Sequence, residues 1–226
     1  YLGLAARLLI FALAATSLNL VLGFGGMVSF GHAAFIGVGA YTVGVLAQAG
    51  LTSAWLSWPL AMATAGGLAA VIGAISLRTR GVYFIMITLA FAQMLFYLAI
   101  SSKTYGGDDG LSLPGRSVLG LGLDLADDRT FYYVTLALVV PAFMGWVRLL
   151  NARFGHALQA VRDNEVRAEA LGFPVYRYKL IAFVMAGALA GLAGALLANL
   201  GSFVSPAMMQ WNQSGMLLVM VILGGV

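Results

Sequence analysis

Residues 179–200 read KLIAFVMAGALAGLAGALLANL, and this stretch decides the fold. It is long enough to cross a membrane, because a helix needs about 20 apolar residues to span the hydrocarbon core. Small residues recur along it at four-residue spacing in two rows: Ala186, Gly187, Ala190, Gly191, Gly194 and Ala198. Such a stripe lets two helices approach closely inside a bilayer. We expect it to pack within this chain, with a contact to a second subunit as the alternative.

The composition of the whole chain agrees with that segment. Of its 226 residues, 62% are hydrophobic and 9% are charged, and the mean hydropathy is +0.96. Soluble proteins are about 45–50% apolar and about 25% charged, so this chain has too few charges to cover a surface in water. A membrane β-barrel would show short alternating segments, whereas the apolar runs here are continuous. The predicted fold class is therefore all-α, a polytopic transmembrane helical bundle.

Six full apolar runs and one shortened run are the predicted spans: 4–24, 27–47, 54–77, 82–101, 131–150, 179–200 and the run from about 212. The last run stops at Val226, and the chain begins with Tyr1. We therefore expect one transmembrane domain over 1–226 that is trimmed at both ends.

Seven glycines lie within residues 23–44. Each weakens a helix by about 1 kcal/mol relative to Ala. We expect a broken or re-entrant helix near the N-terminus, because such backbone is tolerated where protein or a water-filled cavity covers it.

Basic residues cluster at two places between spans: Arg78, Arg80, Arg148, Arg153, Arg162, Arg167, Arg177 and Lys179. Cytoplasmic loops are enriched in Lys and Arg, so residues 152–178 are predicted to form a cytoplasmic loop. Residues 102–130 then form an external loop, whose five acidic and three basic residues, Asp124 among them, give a net charge of −2. Counting back places the chain start outside, whereas Arg7 favours the inside, so the orientation of the first two segments stays open.

The cytoplasmic segment carries an amphipathic pattern, and we predict a helix over about 155–171. Its apolar positions are Leu158, Val161, Ala168 and Leu171. Gly172 and Pro174 follow, as is usual after a helix C-terminus. An ordinary surface helix and a docking element for a cytoplasmic partner both fit this pattern.

Several separated motifs, in order, resemble the branched-chain amino acid permease family of ABC importers. They are SFGHAAF (29–35), GVGAY (37–41), RGVYF (80–84), YGGDDG (105–110), RFGHALQAVRDNE (153–165), AEALG (168–172), YRYK (176–179) and VILGG (221–225). The chain departs from the general importer loop motif, Glu-Ala-Ala, three residues, Gly, because only Ala170 and Leu171 separate Glu169 from Gly172.

The resemblance implies a subunit that translocates branched-chain amino acids across the bacterial inner membrane. It implies two cytoplasmic ATP-binding subunits, a second homologous permease and an external solute-binding protein as partners, besides the lipid bilayer. The residues that it implies for coupling to the ATPases are Arg162, Asp163, Asn164, Glu165, Arg167, Glu169 and Gly172.

No catalytic residue, metal site or cofactor is expected on this chain. A phosphate-binding loop has Gly before its Lys, whereas Lys103 and Lys179 follow Ser102 and Tyr178, so ATP and Mg²⁺ are expected on the partner subunits. The chain has no Cys and two distant His residues, which excludes metal-ligand spacing. Positive charge beside span ends indicates membrane orientation rather than nucleic-acid binding.

Ser29, His32 and Gln93 are candidates to line a translocation path, because polar groups at membrane depth usually face the bundle interior. A hydrogen bond that packs one helix on another explains His32 equally well. Three other functions remain open: a urea or short-amide permease, an ion-coupled secondary transporter and a non-transporting scaffold. The second is disfavoured, since no Asp or Glu lies inside a predicted span.

Overall fold

Nine α-helices make up most of residues 1–120 and 125–225, which are the residues that the computed structural model describes. They are α1 (Leu2–Asn19), α2 (His32–Gln48), α3 (Ala54–Ser76), α4 (Val82–Ser101), α5 (Asp128–Leu150), α6 (Arg153–Asp163), α7 (Glu165–Ala170), α8 (Val175–Gly201) and α9 (Trp211–Gly224). A π-helical turn, Leu20–Phe24, extends α1, and single 3₁₀ turns lie at Lys103–Tyr105, Gly107–Asp109 and Pro206–Met209. Two short strands, β1 (Leu111–Ser112) and β2 (Phe203–Val204), pair antiparallel. Asp124 lies outside the described residues.

Five of these helices are long and apolar enough to cross a membrane: α1 with its π turn, α3, α4, α5 and α8. The apolar helices α2 and α9 are shorter. At 1.5 Å per residue, the 17 residues of α2 extend about 25 Å, less than the hydrocarbon thickness of about 30 Å. The all-α fold is confirmed, and five of the predicted spans coincide with helices long enough to cross a membrane. The predicted spans 27–47 and from about 212 coincide with the shorter helices α2 and α9.

Helix α8 forms the centre of the bundle, packed against α1, α2 and α3. Its small-residue stripe makes these contacts possible. Gly191 lies against Ala61 and Ala65 of α3, and Gly194 lies against the backbone of Ile36 in α2. A Cβ atom at Gly194 would overlap the Ile36 carbonyl. The prediction that the stripe packs within this chain is therefore confirmed.

Residues 25–31, which we call the α1–α2 junction, are not helical. The preceding π turn closes with a bond from the Gly25 amide to the Leu20 carbonyl. Gly26 has a φ of 64°, a conformation that costs glycine little. The Ala33 amide at the start of α2 donates to Ser214 Oγ of α9 at 3.0 Å, so a distant helix caps this one. A re-entrant path of this segment through the bilayer stays a prediction.

The two ends of the bundle differ in structure. The ribbon end carries β1, β2 and a bridge between Ser53 and Val118. The loop end carries the α3–α4 connection (77–81) and the α6–α7 loop (151–174). Arg7 shares a cavity lining with Phe203, so α1 begins at the ribbon end, as counting back from the charge clusters predicts. Arg7 is thus the exception to the charge pattern.

The YGGDDG motif forms a tight turn at the ribbon end. Gly106, Gly107 and Gly110 all have positive φ, and two 3₁₀ turns lie between Lys103 and Asp109. The strand pair that follows this turn was not predicted, because two-residue strands leave no alternating pattern to detect.

Candidate functional site

The predicted single helix over 155–171 is wrong: the α6–α7 loop contains two helices separated at Asn164. Asn164 has extended backbone (φ −158°, ψ 100°), and its side chain accepts a hydrogen bond from the Arg167 amide at 2.9 Å. This is the geometry of an N-cap, in which a side-chain oxygen satisfies an amide of the first helical turn. Asn164 therefore ends α6 and starts α7. Gly172 follows α7 with a φ of 86°.

Three of the four predicted apolar positions face the protein. Leu158 is fully buried, and Val161 and Ala168 form a small cluster with Val175 at the start of α8. Leu171 does not follow the pattern and is 71% exposed. Leu171 lies just after Ala170, the last residue of α7, so it does not continue the buried face of that helix.

Glu165 lies inside the α6–α7 loop rather than on its outer surface. Its Oε1 accepts from Lys179 Nζ at 2.8 Å, and its Oε2 lies 3.6 Å from Arg80 Nε. Arg80 also reaches Glu169 at 3.7 Å. The side chains of Glu165 and Lys179 are 23% and 16% exposed, so this pair is partly shielded from water. It joins α7 to α8 and to the α3–α4 connection.

Arg162 reaches toward the α1–α2 region, with its side chain 41% exposed. Its Nη1 donates to the carbonyl of Gly23. A Cβ atom placed on Gly26 would lie 2.8 Å from the Arg162 Cγ, so the arginine stem lies directly on the glycine. Arg162 also pairs with Asp163 at 3.3 Å.

The outward surface of the α6–α7 loop combines charge with apolar side chains. Six of the seven residues that the family resemblance implies are exposed, and only Glu165 is half-buried. Val166 and Leu171 are 70% and 71% exposed beside them. Exposed apolar groups rimmed by polar ones are typical of protein interaction sites. The sequence could have identified Val166 as exposed only if the break at Asn164 had been recognised.

The three candidate path residues have different surroundings in the structure. His32 is fully buried, and its Nε2 lies 2.8 Å from Ser17 Oγ on α1. Ser29 is buried and accepts from the Gly31 amide, while Gln93 is half-buried on α4. The His32 contact is a bond between helices, which fits the packing interpretation. A role for these residues in translocation stays a prediction.

A cavity of about 700 Å³ opens at the ribbon end between α1, α5, α8 and α9. Its lining is mostly apolar and includes Phe11 and Leu217, with Arg7 and Asp128 among the few charged groups. Asp128 accepts from Arg116 Nη2 at 2.7 Å. A concave apolar pocket with a few placed polar groups has the general form of a small-molecule site.

A second cavity of about 210 Å³ lies at the loop end. The α1–α2 junction, the α3–α4 connection and the α6–α7 loop all contribute to its lining, with Gly26, Arg80, Arg162 and Glu165 among the residues. Open space therefore lies where these three segments meet.

Comparison with known proteins gives a consistent result. The family model described as branched-chain amino acid transport system / permease component matches residues 1–226. The high-affinity branched-chain amino acid transport system permease protein LivM of Escherichia coli K12 is 32% identical over 98% of this chain and 58% of its own length. LivM of Salmonella typhimurium is 31% identical over the same shares. The chain thus spans less than two thirds of these relatives.

Nucleoside permeases are also related. The guanosine ABC transporter permease protein NupQ of Bacillus subtilis is 27% identical over 77% of this chain and 59% of its own length. No solved structure matches the chain.

Proposed function

The chain belongs to the branched-chain amino acid permease family, and from that membership we propose that it is the permease subunit of an ATP-driven ABC importer for branched-chain amino acids. Family members are membrane transport components rather than enzymes, and the five apolar helices and bacterial relatives place the chain in the inner membrane as a multi-pass protein. The observation that carries the proposal is the similarity to LivM over 98% of the chain.

In this proposal the α6–α7 loop is the docking site for two cytoplasmic ATP-binding subunits, which hold ATP and Mg²⁺. A second permease of similar fold completes the membrane part, and an external solute-binding protein delivers the substrate at the ribbon end. The exposed Val166 and Leu171 support docking, because charge alone does not exclude water from an interface whereas buried apolar groups do.

An amino acid is favoured over a nucleoside by the cavity at the ribbon end. Arg7, Arg116 and Asp128 are the charged groups of one mostly apolar lining, and Asp128 accepts from Arg116 through its Oδ1. A zwitterionic amino acid with an aliphatic side chain matches both features, since its carboxylate pairs with arginine and its ammonium with a carboxylate. A nucleoside offers neither charge at neutral pH.

The proposal is tested by reconstituting the full-length protein with its genomic neighbours, an ATPase pair, a second permease and a binding protein, in proteoliposomes. We expect ATP-dependent leucine uptake that unlabelled isoleucine and valine inhibit and guanosine does not. Uptake driven by an ion gradient without the ATPases, or uptake of guanosine or urea in place of leucine, would contradict the proposal.

Placing aspartates on the docking surface should separate the ATPases from the membrane subunit. In the double variant Val166→Asp, Leu171→Asp we expect ATPase co-purification to fall at least tenfold, because two charges would have to be desolvated in the interface. Leu51→Asp is the matched control, since Leu51 is similarly exposed at the ribbon end. Equal ATPase recovery from the double variant and the control would place the docking surface elsewhere.

Removing the charges of the ribbon-end cavity should reduce substrate transfer without loss of assembly. We expect Arg7→Gln and Asp128→Asn each to lower leucine uptake about tenfold, the loss of one charge-assisted contact, with ATPase association unchanged. Arg129→Gln, which alters a neighbouring charge, is the control. Normal uptake in both cavity variants would show that the substrate does not use these two charges.

A further inference from the structure

We propose that Arg162 is a positioning residue through which the α6–α7 loop moves the α1–α2 junction. The proposal rests on the proposed function, because it assigns the route by which ATPase motion enters the membrane part. It differs from a route through the covalently attached helices α5 and α8, since residues 162 and 23 are far apart in the chain.

The contact between Arg162 and the α1–α2 region has two parts. The guanidinium donates to the Gly23 carbonyl at the end of the π turn. The aliphatic stem lies on Gly26, where a Cβ atom would come within 2.8 Å of Cγ. The Arg162 side chain is therefore held by a polar bond to Gly23, within the π turn, and by close packing on Gly26, just after it.

Both helices of the α6–α7 loop are held by contacts with neighbouring elements. Glu165 ties α7 to Lys179 of α8 and to Arg80 of the α3–α4 connection. Gly155 packs so closely on the Leu150 carbonyl that a Cβ atom would overlap it, which fixes α6 on the end of α5. Val161 of α6 packs with Ala168 of α7, so a displacement of α7 is passed across the break at Asn164 to α6 and Arg162.

The α1–α2 junction is the more deformable side of its contact with Arg162. It lacks the repeated backbone bonds of a helix, and the cavity of about 210 Å³ beside it leaves space for movement. Its far side is held firmly: His32 bonds Ser17 of α1, and Ser214 of α9 caps α2. Movement at Gly26 is therefore passed to the helices that surround the buried start of α2.

The first test is Arg162→Gln in the assembled transporter. We expect normal ATPase co-purification and retained ATP hydrolysis, with the number of leucine molecules transported per ATP lowered at least tenfold. Loss of ATPase co-purification would make Arg162 a docking residue, and an unchanged ratio would leave it without a role in coupling; either result overturns the proposal. If the wild-type assembly itself shows no ATP-dependent leucine uptake, the proposed function fails instead.

A matched glycine pair tests the other side of the contact. Gly26→Ala and Gly81→Ala both place a side chain at positive φ, 64° and 61°. Only the side chain at position 26 would meet Arg162, since a Cβ atom added at Gly81 would have no neighbour within 4 Å. We expect Gly26→Ala alone to reproduce the lowered transport ratio. Equal ratios in the two variants would contradict the proposal.

A disulfide between positions 26 and 162 tests whether a link between the α6–α7 loop and the α1–α2 junction restores the transport ratio. A purely structural role of Arg162 would not produce that recovery. A Cβ atom at Gly26 would lie 3.7 Å from the Arg162 Cβ, within the range of about 3.5–4.5 Å found in disulfides, and the chain has no Cys of its own. In Gly26→Cys, Arg162→Cys we expect oxidation to replace the missing arginine contact and raise the transport ratio severalfold, reversibly on reduction. Each single variant should have the same transport ratio before and after reduction. If the double variant also shows equal ratios in the oxidised and reduced states, the proposal is contradicted.

Discussion

Gly194→Ala should lower the midpoint of thermal unfolding by about 2–12 °C, from an overpacking cost of about 1–3 kcal/mol and about 2–4 °C per kcal/mol for a chain of this size. A methyl group at this position meets the Ile36 carbonyl of α2. Backbone cannot move aside as a flexible side chain can, so α8 and α2 must separate along their contact. Fluorescence-detected size-exclusion after heating, in detergent, measures the midpoint.

The control for this prediction has the opposite sign. Gly67 lies on α3, where an added Cβ atom would have no neighbour within 4 Å. Gly67→Ala should therefore gain the helix propensity of Ala, about 1 kcal/mol, and unfold at a slightly higher temperature. A midpoint for Gly194→Ala at or above that of the wild type would mean that α2 and α8 are not packed as described.

Glu165→Lys should release the α6–α7 loop from the bundle. The substitution puts a third positive charge beside Lys179 and Arg80, where the native carboxylate lies 2.8 Å and 3.6 Å from their nitrogens. Breaking a buried pair by removing one partner costs about 3–5 kcal/mol, and we expect about 2 kcal/mol for this partly exposed one. Cleavage within residues 151–174 by an arginine-specific protease, which does not use the introduced lysine, should accelerate by at least tenfold, and leucine uptake should be lost.

Glu169→Lys is the informative comparison, because the charge pattern treats the two glutamates alike. The Glu169 side chain is 54% exposed and lies 3.7 Å from Arg80. Exposed ion pairs of this kind contribute about 0–1 kcal/mol, so cleavage should stay near the wild-type rate. The swapped variant Glu165→Lys, Lys179→Glu should recover part of the protection. Equal cleavage of the two single variants would show that Glu165 is not held inside the α6–α7 loop.

The membrane helices were predictable because lipid imposes a simple rule on sequence. A spanning segment must be long and apolar, and charges must lie near its ends, so α3 and α4 were placed within a residue or so of their observed bounds. The small-residue stripe of α8 likewise indicated close packing, because small residues at four-residue spacing let two helix backbones approach each other.

The roles of the charged residues in the α6–α7 loop could not be predicted in the same way. The family resemblance implies the same coupling role for Arg162 and Glu165, whereas in the structure Arg162 bonds Gly23 and Glu165 pairs with Lys179 and Arg80. Those partners, Gly23 and Arg80, are brought near by tertiary packing, which leaves no local signal. Asn164 did carry a local signal as a cap, but a single Asn inside an amphipathic run is also compatible with a continuous helix.

The central position of α8 has a consequence for biosynthesis. Helices α2 and α3 enter the membrane long before α8, which packs against both. About 150 residues separate the end of α2 from the end of α8. At about 5–20 residues per second, translation takes on the order of 10–30 seconds to supply it. Nascent chains halted before residue 201 should therefore be especially exposed to membrane quality-control proteases.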